Sequence, residues 1–325
     1  MKYIFCLFLL CKIAVSAYSI IFVHIGPKIP DYLSIALQQA RLFNKECPIY
    51  VIGNEGARKS CPFAFDETVQ YISCESLIKS QNHRKFSTSS RLDKQAFEGF
   101  WTFTSERFFY LEELVQKYQL TDVFHLENDV MLYVDLTRFL PVFQQKYRHM
   151  LGATFDSDAR GIPGFVYISD LAPLSQFTQL MADLARAGKN DMEMLQEFKN
   201  RYHRVYIEHL PIVIPQYSVD YGLKNDLRQA AKQPDLFSQY FHEFGSVFDA
   251  AAIGQYLGGI SPRNGPMIPG FINESCFFNP SRFLFGWEKD LEGRWIPYLS
   301  YKNVKYPINN LHIHCKNLQP FFSHR

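Results

Sequence analysis

The sequence contains no C-x-x-C pair, so its seven cysteines support neither a zinc ribbon nor a dithiol redox centre. It has no long basic run, and its formal net charge is only +2, which excludes an electrostatic footprint for nucleic acid. Internal repeats and low-complexity tracts are also lacking, which excludes a repeat array and a chain too polar to fold. What remains is the composition of a globular protein. The 325 residues include 30 Phe and 19 Tyr, enough to fill the core of one large domain.

The first 17 residues differ from the rest. "MKYIFCLFLLCKIAVSA" carries a basic residue at Lys2, an apolar run from Tyr3 to Leu10, and small residues at Val15, Ser16 and Ala17. That is the pattern of a secretory signal peptide, which would send the chain into the secretory pathway (ER or Golgi lumen) or out of the cell. An uncleaved anchor is the other reading, because the apolar run continues past Lys12. In an oxidising lumen, one disulfide among Cys47, Cys61 and Cys74 is the expectation.

After this segment the pattern alternates. "SIIFVHIG" reads as a buried strand, "PDYLSIALQQARLFN" as a helix begun by Pro30, "CPIYVIGN" as a second strand and "ETVQYISCESL" as a third. This rhythm predicts a parallel sheet covered by helices. Residues 79–100 are polar and irregular and read as a mobile loop. A helix is expected over 104–118, with a buried stripe of Phe108, Leu111, Val115 and Tyr118. "HMLGATFD" and "GFVYIS" read as strands, and a helix is expected near 173–187, ending at Gly188. Asn190 followed by Glu193 predicts a capping box for the next helix. Residues 215–310 read as irregular, a region that shapes a substrate site.

The chemistry concentrates in "DVFHLENDVMLYVDL" (122–136), where Glu127, Asn128 and Asp129 interrupt two apolar runs. Carboxylates at the end of a core strand are costly unless paired, and ligands of parallel α/β sheets gather at such ends. If the chain stays extended, Glu127 and Asp129 share a face and suit a hard divalent cation such as Mg²⁺ or Mn²⁺. In "LHIHCK", His312, His314 and Lys316 alternate with apolar residues. A strand there would place two imidazoles and an ammonium on one face, fit for a metal and a phosphate. The competing structural readings are a turn capped by Asp129 with Glu127 paired to His125 or an arginine, and a solvent-facing edge strand for the closing run.

With the βαβ opening, the acidic pair and the closing His/Lys run together, the chain resembles a glycosyltransferase of the GT-A type, the nucleotide-diphospho-sugar transferase fold. The resemblance spans most of residues 19–320. It implies a Rossmann-like α/β architecture, with a nucleotide-sugar half over 18–150 and an acceptor half over 151–325. It places Glu127 and Asp129 in an E-x-D variant of the family's D-x-D motif. The closing run resembles that of glycogenin-like members, where a late His completes the metal shell and a Lys meets the diphosphate. Their Gly-rich spacing is missing here, so His312 and His314 both stand as ligand candidates beside Lys316.

The resemblance further implies a donor sugar linked to UDP or GDP, and a glycan, glycoprotein or glycolipid acceptor. Arg107 would add charge at the phosphates, or else lie on a helix surface. Asn190 and Asp191 would face the donor sugar, or else cap a helix. Asp249, ahead of small residues in "VFDAAAIG", is a further candidate, as are Asp156 and Asp158 for the acceptor hydroxyl. Inversion would need one carboxylate as base; inverting and retaining outcomes both stay open. A phosphoester hydrolase usually needs ligands for two metals, and the sequence shows one convincing acidic cluster. A catalytically silent sugar-binding relative would have no need of all five of Glu127, Asp129, His312, His314 and Lys316.

Overall fold

The computed structural model describes residues 17–93 and 99–324. The leader expectation falls on residues 1–16 and so lies outside the described residues, apart from Ala17. No helix among them is long and apolar enough to cross a membrane.

The chain opens as the apolar runs require. β1 (Ser19–His24) is buried along almost its whole length, because both faces of the sheet are covered. α1 (Tyr32–Phe43) buries Leu33, Ala36, Leu37, Ala40 and Phe43 at helical spacing. β2 (Ile49–Gly53), the short α2 (Glu55–Lys59) and β3 (Val69–Ser73) complete the opening.

The polar stretch read as a loop holds a helix, α3 (Gln81–Ser89). Ser80 caps it by accepting the His83 N–H, and His83 Nδ1 lies 2.8 Å from Glu113 of the next helix. Only His83 and Phe86 are buried in it, so no apolar stripe marks it. α4 (Phe100–Tyr118) starts four residues earlier than expected and buries Arg107, Glu112 and Glu113 along with its apolar face. Tyr118, placed in the stripe from sequence, is 42% exposed and stacks on Tyr50.

β4 (Val123–Leu126) leads to β5 (Val130–Leu132), followed by α5 (Leu140–Lys146), β6 (Leu151–Phe155), β7 (Gly161–Ile168), α6 (Leu171–Asp183), α7 (Asp191–Tyr202) and β8 (Ile207–His209). The main sheet has the order β3-β2-β1-β4-β7-β6-β8. Only β7 runs against its neighbours; the other strands are mutually parallel. This is an α/β fold with a central, mostly parallel sheet flanked by helices.

The region after 215 is more regular than its composition implies. α8 (Pro215–Tyr221), α9 (Phe241–Phe244) and α10 (Ala252–Gly258) precede an antiparallel sheet of β9 (Leu284–Lys289), β10 (Trp295–Tyr301) and β11 (Val304–Pro307). The strand that matters for the site is β12 (Asn310–His312), which pairs antiparallel with β5, His312 opposite Val130. That pairing carries the end of the chain back to the end of β4. Cys47, Cys61, Cys74, Cys276 and Cys315 are free thiols, so the expected disulfide does not form; four of them are buried.

Candidate metal and donor site

The acidic pair sits in a turn. Glu127 N–H donates to the Gly164 carbonyl at 2.9 Å, and Val130 N–H donates to the Glu127 carbonyl at 3.0 Å. The backbone therefore bends between the two carboxylates, and the period-two argument for their shared face does not apply. They meet at His312 instead. Its Nε2 lies 3.0 Å from Glu127 Oε2 and 3.3 Å from Asp129 Oδ2. One donor atom from each of the three residues falls within 4.8 Å of the others, the single group of this kind among the described residues.

His312 is held on several sides. The Ile313 N–H donates to the Asp129 carbonyl at 2.9 Å, tying the end of β12 to the acidic turn. The strand ends there, and a turn brings Lys316 round with φ +65° into an ion pair with Asp129. Alternation along a strand would not have produced this approach. Gly164 leaves the space the imidazole fills: a Cβ on it would stand 2.7 Å from His312 Nδ1. Glycine inside a strand often marks such a close approach.

Arg107 is buried rather than on a surface. It pairs with Glu127 through Nη1 and with Asp191 through Nη2, the latter at 2.6 Å. Three carboxylates, from Glu127, Asp129 and Asp191, are thus interleaved with Arg107, Lys316 and His312. Burial alone would raise the carboxyl groups of Glu127 and Asp129, but their cations outweigh it. Arg107 and then His312 hold Glu127 well below the usual carboxylate range, as Lys316 and then His312 hold Asp129. Burial likewise opposes a charge on His312, yet Asp129 and Glu127 push its pKa up to about 10. For Asp191 burial wins over Arg107, and its carboxyl is raised.

The donor set of two carboxylates and one imidazole fits a divalent ion such as Mn²⁺ or Mg²⁺. The packing around it also fits a site that a ligand completes. His312 Nδ1, Asn128 Oδ1, Asp191 Oδ1 and Arg107 Nε are all buried without a hydrogen-bond partner. Such orphans are rare in finished cores. Asn128 itself is placed by His24, whose Nε2 donates to the Lys28 carbonyl at 2.7 Å and whose Nδ1 accepts from Asn128 Nδ2 at 3.1 Å. Lys316 Nζ also stands 5.9 Å from the Tyr32 ring centroid. Gly164, His24 and Tyr32 were not marked in the sequence; a glycine inside a strand was the one signal available.

Other sequence candidates fall elsewhere. His314 is outside the three-residue group: its Nδ1 accepts the Ser261 N–H at 3.0 Å, and burial, then the charges on His312 and Lys316, lower its pKa to about 4. The Asn190 side chain accepts the Glu193 N–H at 3.1 Å as a helix cap, and Glu193 returns the bond. Asp249 presents no free carboxylate. Its oxygens accept the backbone N–H groups of Ile253, Gly254 and His312 at 2.8, 2.8 and 2.9 Å. Asp156 is buried in an ion pair with Arg160 and accepts from the Cys276 thiol. Asp158 accepts the Lys232 backbone N–H at 2.8 Å.

No family model and no curated protein matches the chain. Solved structures similar to it include mouse xyloside xylosyltransferase 1, at 12% identity and TM-score 0.41, covering 69% of this chain and 93% of that one. The galactosyltransferase LgtC, solved with donor and acceptor sugar analogs, shows 13% identity and TM-score 0.40, covering 62% and 77%. The glycosyltransferase GlyE of Streptococcus pneumoniae shows 14% identity and TM-score 0.38, covering 81% and 57%. Such scores fix no residue-to-residue correspondence.

Proposed function

We propose that this chain is a glycosyltransferase of the GT-A type, moving a sugar from a nucleotide-diphosphate donor to an acceptor hydroxyl. The observation that carries the reading is the meeting of Glu127 and Asp129, at the end of β4, with His312 from the last strand. Bound there, a divalent cation would neutralise charge on the departing diphosphate as a Lewis acid. Lys316 supplies a positive charge beside the same carboxylates, suited to phosphate oxygens. Arg107 fixes Glu127 and Asp191 relative to each other, and the unpartnered Asp191 Oδ1 offers an acceptor for a sugar hydroxyl. UDP or GDP is the donor class, and a glycan, glycoprotein or glycolipid is the acceptor class. The leader pattern in residues 1–17 would deliver the enzyme to the secretory pathway or beyond.

Calorimetry of Mn²⁺ with UDP or GDP, on the wild type and on Asp129→Ala, tests this, together with turnover of a panel of sugar nucleotides. Metal-dependent nucleotide binding weakened at least tenfold in the variant, with an unchanged circular-dichroism spectrum, is the expected result. Equal binding by both proteins, or two tightly held ions per chain with phosphate release, would overturn the reading.

A further inference from the structure

A cavity lies away from the acidic cluster. It measures about 290 Å³ and opens between the C-terminal end of α7, the turn after β6 and residues 232–233, lined by Asp158, Lys199, Asn200, His203, Lys232 and Gln233. Lys199 stands eight residues beyond Asp191 on α7, roughly 12 Å along the helix axis.

The lining carries two lysines against one carboxylate, Asp158. Two of its acceptor atoms are engaged: Asp158 Oδ2 takes the Lys232 backbone N–H at 2.8 Å, and Asn200 Oδ1 takes the Gln196 amide at 2.9 Å. His203 Nε2 is tied to the buried Glu208 carboxylate at 2.9 Å. The two lysine ammonium groups are not engaged. Neither Lys199 nor Lys232 forms an ion pair among the described residues. Lys199 is partly buried, its Nζ 5.9 Å from the Phe155 ring centroid. Two ammonium groups facing one cavity repel each other, and a partly desolvated, unpaired ammonium is costly. Burial accordingly pushes the Lys199 ammonium below its ordinary value, against a weaker pull from Asp158.

We propose that this cavity binds an oxyanion, a phosphate, sulfate or carboxylate group, held between Lys199 and Lys232 with the Asn200 amide as a third donor. Two sources share that chemistry: a free anion, and an anionic group carried on a sugar. Binding of inorganic phosphate requires no sugar transfer, so the site stands or falls apart from the transferase reading.

The test is calorimetry of the full chain without divalent metal, using inorganic phosphate, glucose 6-phosphate, glucuronate and, as a neutral control, glucose. Lys199→Met, Lys232→Ser and Lys316→Met are compared with the wild type. Lys232 is exposed, and its backbone N–H survives substitution, so the fold does not depend on its side chain. The expected result is saturable phosphate binding, weakened at least fivefold in Lys199→Met and in Lys232→Ser and kept in Lys316→Met. Sugar-borne anions binding at least tenfold more tightly than phosphate assign the site to a sugar ligand; equal affinities assign it to the free anion. No phosphate binding by the wild type, or binding lost in Lys316→Met but retained in Lys199→Met and Lys232→Ser, overturns the proposal.

Discussion

Asp249 Oδ2 accepts the backbone N–H of His312 at 2.9 Å. The same carboxylate holds the first turn of α10 through Ile253 and Gly254, so one buried group fixes both a helix start and the strand that delivers the imidazole. Gly254 lets the two approach: a Cβ there would stand 2.0 Å from the His312 carbonyl oxygen. Asp249 is therefore a positioning residue.

Asp249→Ala leaves three buried N–H groups without an acceptor. The expected loss is about 2–4 kcal/mol of stability in urea denaturation, with Mn²⁺ affinity falling in the protein that stays folded. Asp249→Asn, which keeps one acceptor oxygen, should recover part of both. An alanine variant as stable as the wild type would show that water replaces these bonds.

Gly164→Ala fills the space that the His312 ring occupies. The added methyl must displace the imidazole ring from its place beside Glu127 and Asp129. The sheet itself is little affected, so the expected cost is about 1–3 kcal/mol, while Mn²⁺ affinity by calorimetry falls at least tenfold. Affinity unchanged from the wild type would mean that His312 contributes nothing to the ion's shell.

His209 makes stability depend on pH. It is fully buried against Phe155, and neither ring nitrogen has a hydrogen-bond partner. Burial, then the nearby Lys199 and His203, lowers its pKa well below the ordinary value. The unfolded chain takes up a proton near pH 6.5 that the native state refuses, so this contribution is complete above about pH 6.5 and is lost as pH falls. His209→Phe removes the effect. Its stability relative to the wild type should rise by about 1.4 kcal/mol per pH unit below about pH 6. Urea titrations at pH 7.5, 6.0 and 5.0 measure that slope, and a flat difference would mean that His209 protonates in place.

Much of the framework was legible because burial on both faces writes itself as apolar runs: β1, β2 and β4 are examples, and the Asn190–Glu193 capping box was visible from its spacing. The carboxylates of Glu127 and Asp129 stood out because they break such a run. α3 left no signal, since a buried His83–Glu113 bond rather than an apolar stripe docks it. β9 to β11 are mixed in exposure and lack clean alternation. Arg107 was ambiguous because its partners lie on other elements, at 127 and 191, and hydrophobic pattern cannot report a buried charge. His312 and His314 are inseparable in the sequence, where the closing run reads as one strand; β12 stops at His312, and the turn after it sends the second imidazole to Ser261.

The pairing of β12 with β5 has a consequence during synthesis. Asp129 leaves the ribosome 187 residues before Lys316. At typical elongation rates that gap is roughly ten to forty seconds. Through that interval the acidic turn lacks His312 and Lys316, so a nascent or prematurely terminated chain carries its carboxylates without the closing cations. Only a chain that has grown past Lys316 can bring His312 and Lys316 to the acidic turn.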